Sequence, residues 1–201
     1  MKKQTLGLPI ITALLCPICL LFPLSRVYAE TEEIKGFSKA TARQKTPVWC
    51  WAAAMQMVFN YGGVDWTQED VVNSVKNRLA FETATPEEIY RGLNGWKFQH
   101  NAERWTVGCI YMKGMPVPSM IVRNLDIQRP IIVGVNGHHV VVLFKADFRR
   151  STTQEPQITS VTVYDPWDGK EKMMPWPAAE LSDVWYVWVA LAKDRTFGPG
   201  G

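Results

Sequence analysis

The chain is predicted to fold as an α+β domain, with helices gathered in its first half and antiparallel strands in its second. Three observations carry this. Helix-start signatures stand at Thr67 and Thr85, an apolar run from Cys50 ends at Gly62-Gly63, and β-branched runs flank Asn136-Gly137. Helices first and strands later are the mark of segregated layers. Hydrophobic residues make up 47% of the 201, and nine residues are Trp, enough for one well-filled core and thin for two.

Met1 to Ala29 reads as a secretory signal. Lys2 and Lys3 open it, Leu6 to Leu24 is apolar, and Val27-Tyr28-Ala29 places small residues at the cleavage positions. The alternative is an uncleaved anchor, but Pro9, Pro17 and Pro23 interrupt the run and weaken a spanning helix. Leu14-Leu15 before Cys16 lacks the small residue expected ahead of a lipid-modified Cys. Glu30 to Ala42 is short and polar, expected as an arm. The folded domain is expected over residues 43–195, with 196–201 as a flexible tail.

Pro47 holds Thr46 out of the α region, so the first helix starts near Trp49 or Cys50 and runs to Tyr61. Gly62-Gly63 supplies a left-handed stop. Thr67 with Asp70 forms an N-cap pair for a helix reaching about Leu79. Thr85-Pro86-Glu87-Glu88 places a cap, a Pro at the first turn and a Glu three residues after the cap; Gly95 ends that helix. Ser119 is expected to cap a fourth, running to about Gln128. Ile131–Val135 and Val140–Phe144 are β-branched strands joined by Asn136-Gly137, a strong hairpin signal. Ser160–Tyr164 and Val184–Ala192 complete the strands.

Charge narrows the partners. The formal net charge of +3 comes from Lys2, Lys3 and Arg26 in the expected signal, which has no acid; the rest carries 19 basic and 19 acidic residues. No phosphate-tracking surface is expected, so nucleic acid is not a partner. With the signal removed, no membrane association is expected, and the domain is expected to act as a monomer. Cys16 and Cys19 fall in the signal, leaving Cys50 and Cys109. Two thiols in an oxidising compartment can pair, which is the structural alternative for Cys50. The apolar setting of Cys109, Val107-Gly108-Cys109-Ile110, suits a small buried hydrophobe. A zinc site fails on spacing, with no CxxC or HxxxH, so neither metal nor cofactor is expected.

One constellation carries the chemistry. A thiol at a helix N-terminus feels the positive end of the macrodipole, and the free N–H groups there can receive an oxyanion. Gln44 stands six residues upstream of Cys50, within reach to add a second donor. Gly137-His138-His139 and then Asp165 follow downstream.

The segment from Gln44 through Cys50-Trp51-Ala52 resembles the nucleophile segment of papain-like cysteine peptidases, and the order amide, Cys, His, acid is also theirs. Gly137-His138 before Val140-Val141-Val142, then Val163-Tyr164-Asp165-Pro166-Trp167, is closer to a bacterial branch. That branch holds the peptidase domains of bacteriocin-processing transporters and secreted papain-like effectors. The resemblance covers roughly residues 40 to 192. It implies a papain-like fold, a nucleophile helix between a helical lobe and an antiparallel sheet lobe, and a peptide or protein substrate. It implies Cys50 as nucleophile, Gln44 as oxyanion donor, His138 as base and acid, and Asp165 as the group orienting the imidazole. A thiolate–imidazolium pair with a lowered thiol pKa would follow. Neighbours on a strand face opposite ways, so one of His138 and His139 meets Cys50. The Gly-His order of the resembled branch favours His138, with His139 the alternative.

Trp51 is expected to pack behind the helix, Trp49 to line the cleft, and Trp167 to shield the His–Asp pair from water. Two further functions are compatible with the same residues: amidase or acyl transferase action by the same triad, and a catalytically silent peptide-binding effector module.

Overall fold

The computed structural model describes residues 27–151, 154–177 and 181–194. Residues 1–26 of the expected signal and the expected tail 196–201 lie outside the described residues. The expected α+β layering is present: among the described residues, α-helices lie against one extended antiparallel sheet, with the second helix packed on the first and third.

Helix α1 (Cys50–Tyr61) begins and ends where the sequence places it. Its C-cap is Gly62, and Gly63 takes φ 87°, the left-handed conformation that releases the chain. Nine of its twelve residues are buried, so it is a core helix apolar nearly all round. Helix α2 (Gln68–Lys76) opens with a complete capping box between Thr67 and Asp70; Asn77 at φ 56° stops it before Leu79. Helix α3 (Pro86–Leu93) opens with a second box, Thr85 with Glu88. Helix α4 (Pro118–Asp126) corrects the expected cap. Its N-cap is Val117, and the Ser119 hydroxyl instead donates to Glu155 at 3.1 Å.

The strands are β1 (Tyr28–Glu33), β2 (Lys97–His100), β3 (Glu103–Lys113), β4 (Ile131–Val135), β5 (His139–Ser151), β6 (Gln154–Asp165), β7 (Lys170–Pro175) and β8 (Trp185–Lys193). Their order is β2-β3-β8-β4-β5-β6-β7, with β1 also paired to β5. Strand β4 pairs with the first part of β5, residues 139–143, and β1 with the second, residues 145–150. The Glu30–Ala42 segment, expected as an arm, is thus docked. Beyond β1, Ile34 and Phe37 are each 1% exposed, and Phe37 stacks on Phe144 of β5 at 5.2 Å between ring centroids.

Two features of the sheet position the site. The β4–β5 hairpin pairs Val135 with His139, so its loop is the three residues Asn136, Gly137 and His138, with φ 55° at Asn136 and 69° at Gly137. In the neighbouring pair, Gly134 lies opposite Trp185 of β8, and a Cβ on Gly134 would run into the Trp185 indole. Gly134→Ala is therefore expected to destabilise the fold by about 1–3 kcal/mol, as overpacking does. A lowered urea midpoint with unchanged m-value is the check.

Candidate active site

Proline 47 and the turn after it set Cys50 on the first turn of α1. The N–H of Ala53 is the first to close an intrahelical bond, to Trp49 O at 2.9 Å, which leaves the N–H groups of Cys50 and Trp51 free of the helix. The thiol opens into a cavity of about 180 Å³. Trp51, Thr85, His139, Val140 and Trp185 are among the residues that line it.

The structure brings His139, and not His138, to Asp165. His139 Nε2 and Asp165 Oδ1 are 2.8 Å apart. With Nε2 on the carboxylate, Nδ1 is the ring nitrogen left for a second partner. His138 is exposed in the hairpin loop. The reason is the loop length. A two-residue Asn-Gly turn would start the second strand at His138, whereas the three-residue loop starts it at His139 and leaves His138 in the turn. What His138 brings to the site is its main chain: Cys50 Sγ donates to its carbonyl at 3.8 Å.

That geometry reverses the expected low thiol pKa. Burial is the largest influence and pushes the Cys50 thiol up. The N–H groups of Val140, Trp51 and Cys50 itself pull it partly back, and the Asp165 charge adds to the upward push. A thiol on a buried residue, bonded to a carbonyl, favours S–H. Cys109 is likewise buried, on β3, and burial pushes its thiol up to about 12. Both cysteines are free, so the disulfide alternative is not realised.

Asp165 closes β6 and is 7% exposed. Burial opposes its ionisation, but the Lys172 ammonium, the Trp167 N–H and His139 together hold its carboxyl below the ordinary range. Lys172 Nζ lies 2.6 Å from Asp165 Oδ2, and the Trp167 N–H donates to Oδ1 at 2.9 Å. Trp167 thus serves through its backbone. The residue is 56% exposed, which corrects its expected role as a shield.

Gln44 lies in the loop before α1, beside Asp165 in space. Its N–H donates to Pro166 O at 2.9 Å, and its Nε2 donates to Thr46 O at 2.7 Å. The amide nitrogen carries two N–H groups, so one remains for a ligand. Gln68 of α2 pins this loop. Its Nε2 donates to Arg43 O at 2.9 Å and its Oε1 accepts from Lys45 N–H at 2.9 Å, straddling Gln44. At 1% exposure Gln68 is a buried polar side chain with every short contact satisfied, including Gln56 Oε1 at 3.0 Å. A polar residue inside a capping sequence gives no such signal.

Of the two tryptophans beside Cys50, Trp51 lines the cavity and Trp49, expected to do so, does not. Trp49 is 2% exposed, donates to Ala80 O at 2.9 Å and stacks on Phe81; it lies away from the cavity. Trp51 is buried as expected, and it also lines the cavity.

Comparison with known proteins gives a family and a similar solved structure. A family model described as Peptidase_C39 like matches residues 31–193. Among solved structures, the chain is similar to the peptidase domain of Streptococcus ComA, a bi-functional ABC transporter involved in a quorum sensing pathway. The two share 15% identity with a TM-score of 0.49, covering 76% of this chain and 97% of that one. No curated protein sequence matches.

Proposed function

The chain belongs to the Peptidase_C39 like family and is a papain-like cysteine peptidase, and from that premise we propose that it cleaves peptide bonds with Cys50, His139 and Asp165. The observation that carries this reading is the 2.8 Å bond from His139 to Asp165 on the wall of the cavity into which Cys50 opens. His139 replaces His138 as the base because it holds the acid.

In the proposed reaction, a substrate draws Sγ away from the His138 carbonyl, and Nδ1 of His139 takes the thiol proton. The thiolate adds to the scissile carbonyl carbon. The oxyanion is met by the backbone N–H of Cys50 and by Gln44 Nε2. The imidazolium, steadied by Asp165, returns its proton to the leaving amine as the C–N bond breaks, leaving a thioester on Cys50. Water, deprotonated by Nδ1, adds to the thioester carbonyl. Collapse expels the thiolate, which is reprotonated, and releases the acid.

The residues before Glu30 support export, and the family supports a peptide or protein substrate for an enzyme we read as a monomer. Among the described residues no helix is long and apolar enough to cross a membrane.

The experiment is a peptide-library digest, run with and without an added primary amine and quenched for mass spectrometry of the Cys50 peptide. New carboxyl termini and a thioester on Cys50 are expected. Amine adducts in place of acids would mark a transferase, and binding with no turnover of any peptide would mark a silent module. Gln44→Ala should lower kcat by about 10²–10³-fold with little change in KM, the effect of losing one oxyanion donor. An unchanged kcat would remove Gln44 from the mechanism.

A further inference from the structure

Asp165 does not serve His139 alone. Its Oδ1 is 2.8 Å from His139 Nε2, and its Oδ2 is 2.6 Å from the ammonium of Lys172 on β7. Lys172 also sits 2.9 Å from Asp168 Oδ2, in the turn between β6 and β7. The register explains how Lys172 gets there. It pairs with Val163, two residues from Asp165 on the same face of β6, so it is the diagonal neighbour of the carboxylate.

We propose that Lys172 is a positioning residue that shares Asp165 with His139 and so sets the pH range in which the imidazole serves Cys50. This rests on the reading of His139 and Asp165 given above. A bare carboxylate would stabilise the imidazolium strongly. A lysine on its other oxygen cancels much of that field while fixing the carboxylate plane for Nε2. Nothing in the peptidase chemistry itself calls for a cation on the far side of this acid.

The charges around His139 define the sign. Asp165 approaches from β6, Lys172 and Asp168 stand behind it from β7 and the turn, and Cys50 of α1 lines the same cavity. Asp183 lies beside the hairpin loop, its carboxylate 3.6 Å from where a Cβ on Gly137 would stand. Removing the lysine takes away the ammonium bonded to Asp165, while Arg43, whose Nε donates to Trp167 O at 3.2 Å, and Lys170, paired with Asp165 in the sheet, remain farther off. Protonated forms of both His139 and Cys50 are then favoured, and every titration in the group moves up.

The test is kcat/KM against pH for the full chain, Lys172→Met and Lys172→Arg, at low and high salt. Lys172→Met should displace both limbs of the profile upward by about half a pH unit, less at high salt, since the ammonium is partly exposed. Lys172→Arg should restore the limbs. A lower profile with limbs in place would show Lys172 to be structural only and overturn the proposal. A second measurement needs no turnover: the imidazole titration of His139, followed by NMR in Cys50→Ala with and without Lys172→Met. An upward shift there supports the proposal even if no substrate is cleaved; an unmoved midpoint overturns it. Loss of the peptidase reading would show instead as His139→Ala retaining full activity.

Discussion

Replacing His139 with alanine is expected to lower kcat/KM by about 10³-fold or more, the scale of a lost general base, while His138→Ala stays within about threefold of the parent. The asymmetry follows from what each residue offers. His139 offers a ring, held by Asp165 at 2.8 Å. His138 offers a carbonyl, which accepts from the Cys50 thiol at 3.8 Å and survives replacement by alanine. Asp165 keeps Lys172 when His139 is gone, so His139→Ala should fold, as far-UV circular dichroism and a urea midpoint would show. Equal losses from the two variants, or a loss confined to His138→Ala, would reverse the assignment.

The second large effect is at sulfur. Cys50→Ala and Cys50→Ser should each abolish hydrolysis and labelling by thiol-directed epoxides. Cys109→Ser should keep both, because Cys109 lies 5% exposed on β3 and outside the cavity that Cys50 opens into. Its cost should fall on stability instead. A hydroxyl placed where an apolar thiol sat is expected to lower unfolding free energy by about 1–3 kcal/mol, read from the urea transition. Labelled Cys109 in the folded parent would contradict this division of labour.

Much of the fold was legible wherever a local physical signal stood alone. The two capping boxes at Thr67 and Thr85 and the Gly62-Gly63 stop mark their helices from the residues themselves. Strands β3 and β7 lack such signals. Strand β3 alternates, with Trp105, Val107 and Cys109 inward, but Ile110 and Met112 put apolar side chains on the outer face and blur the period. Strand β7 is the charged edge segment Lys170-Glu171-Lys172, a composition that blunts edges and reads as loop.

The site shows the same divide. Cys50 opens α1 and Asp165 closes β6, the helix start and strand end that Pro47 and Pro166 mark in the sequence, and the Gln44 N–H donates to the Pro166 carbonyl beside that acid. The choice between His138 and His139 could not be read from order, because both flanks are apolar and one residue of loop length inverts the answer. Lys172 and Gln68 reach the site across sheet register and helix packing, and neither relation exists until the chain is folded.

The seat of the Cys50 proton beneath the His138 carbonyl bears on survival in a harsh setting. Peroxide attacks thiolate, and a resting sulfur kept as S–H offers little of it. Oxidation to sulfenic acid should then accumulate chiefly while the enzyme is turning over, so an idle molecule outlasts a busy one.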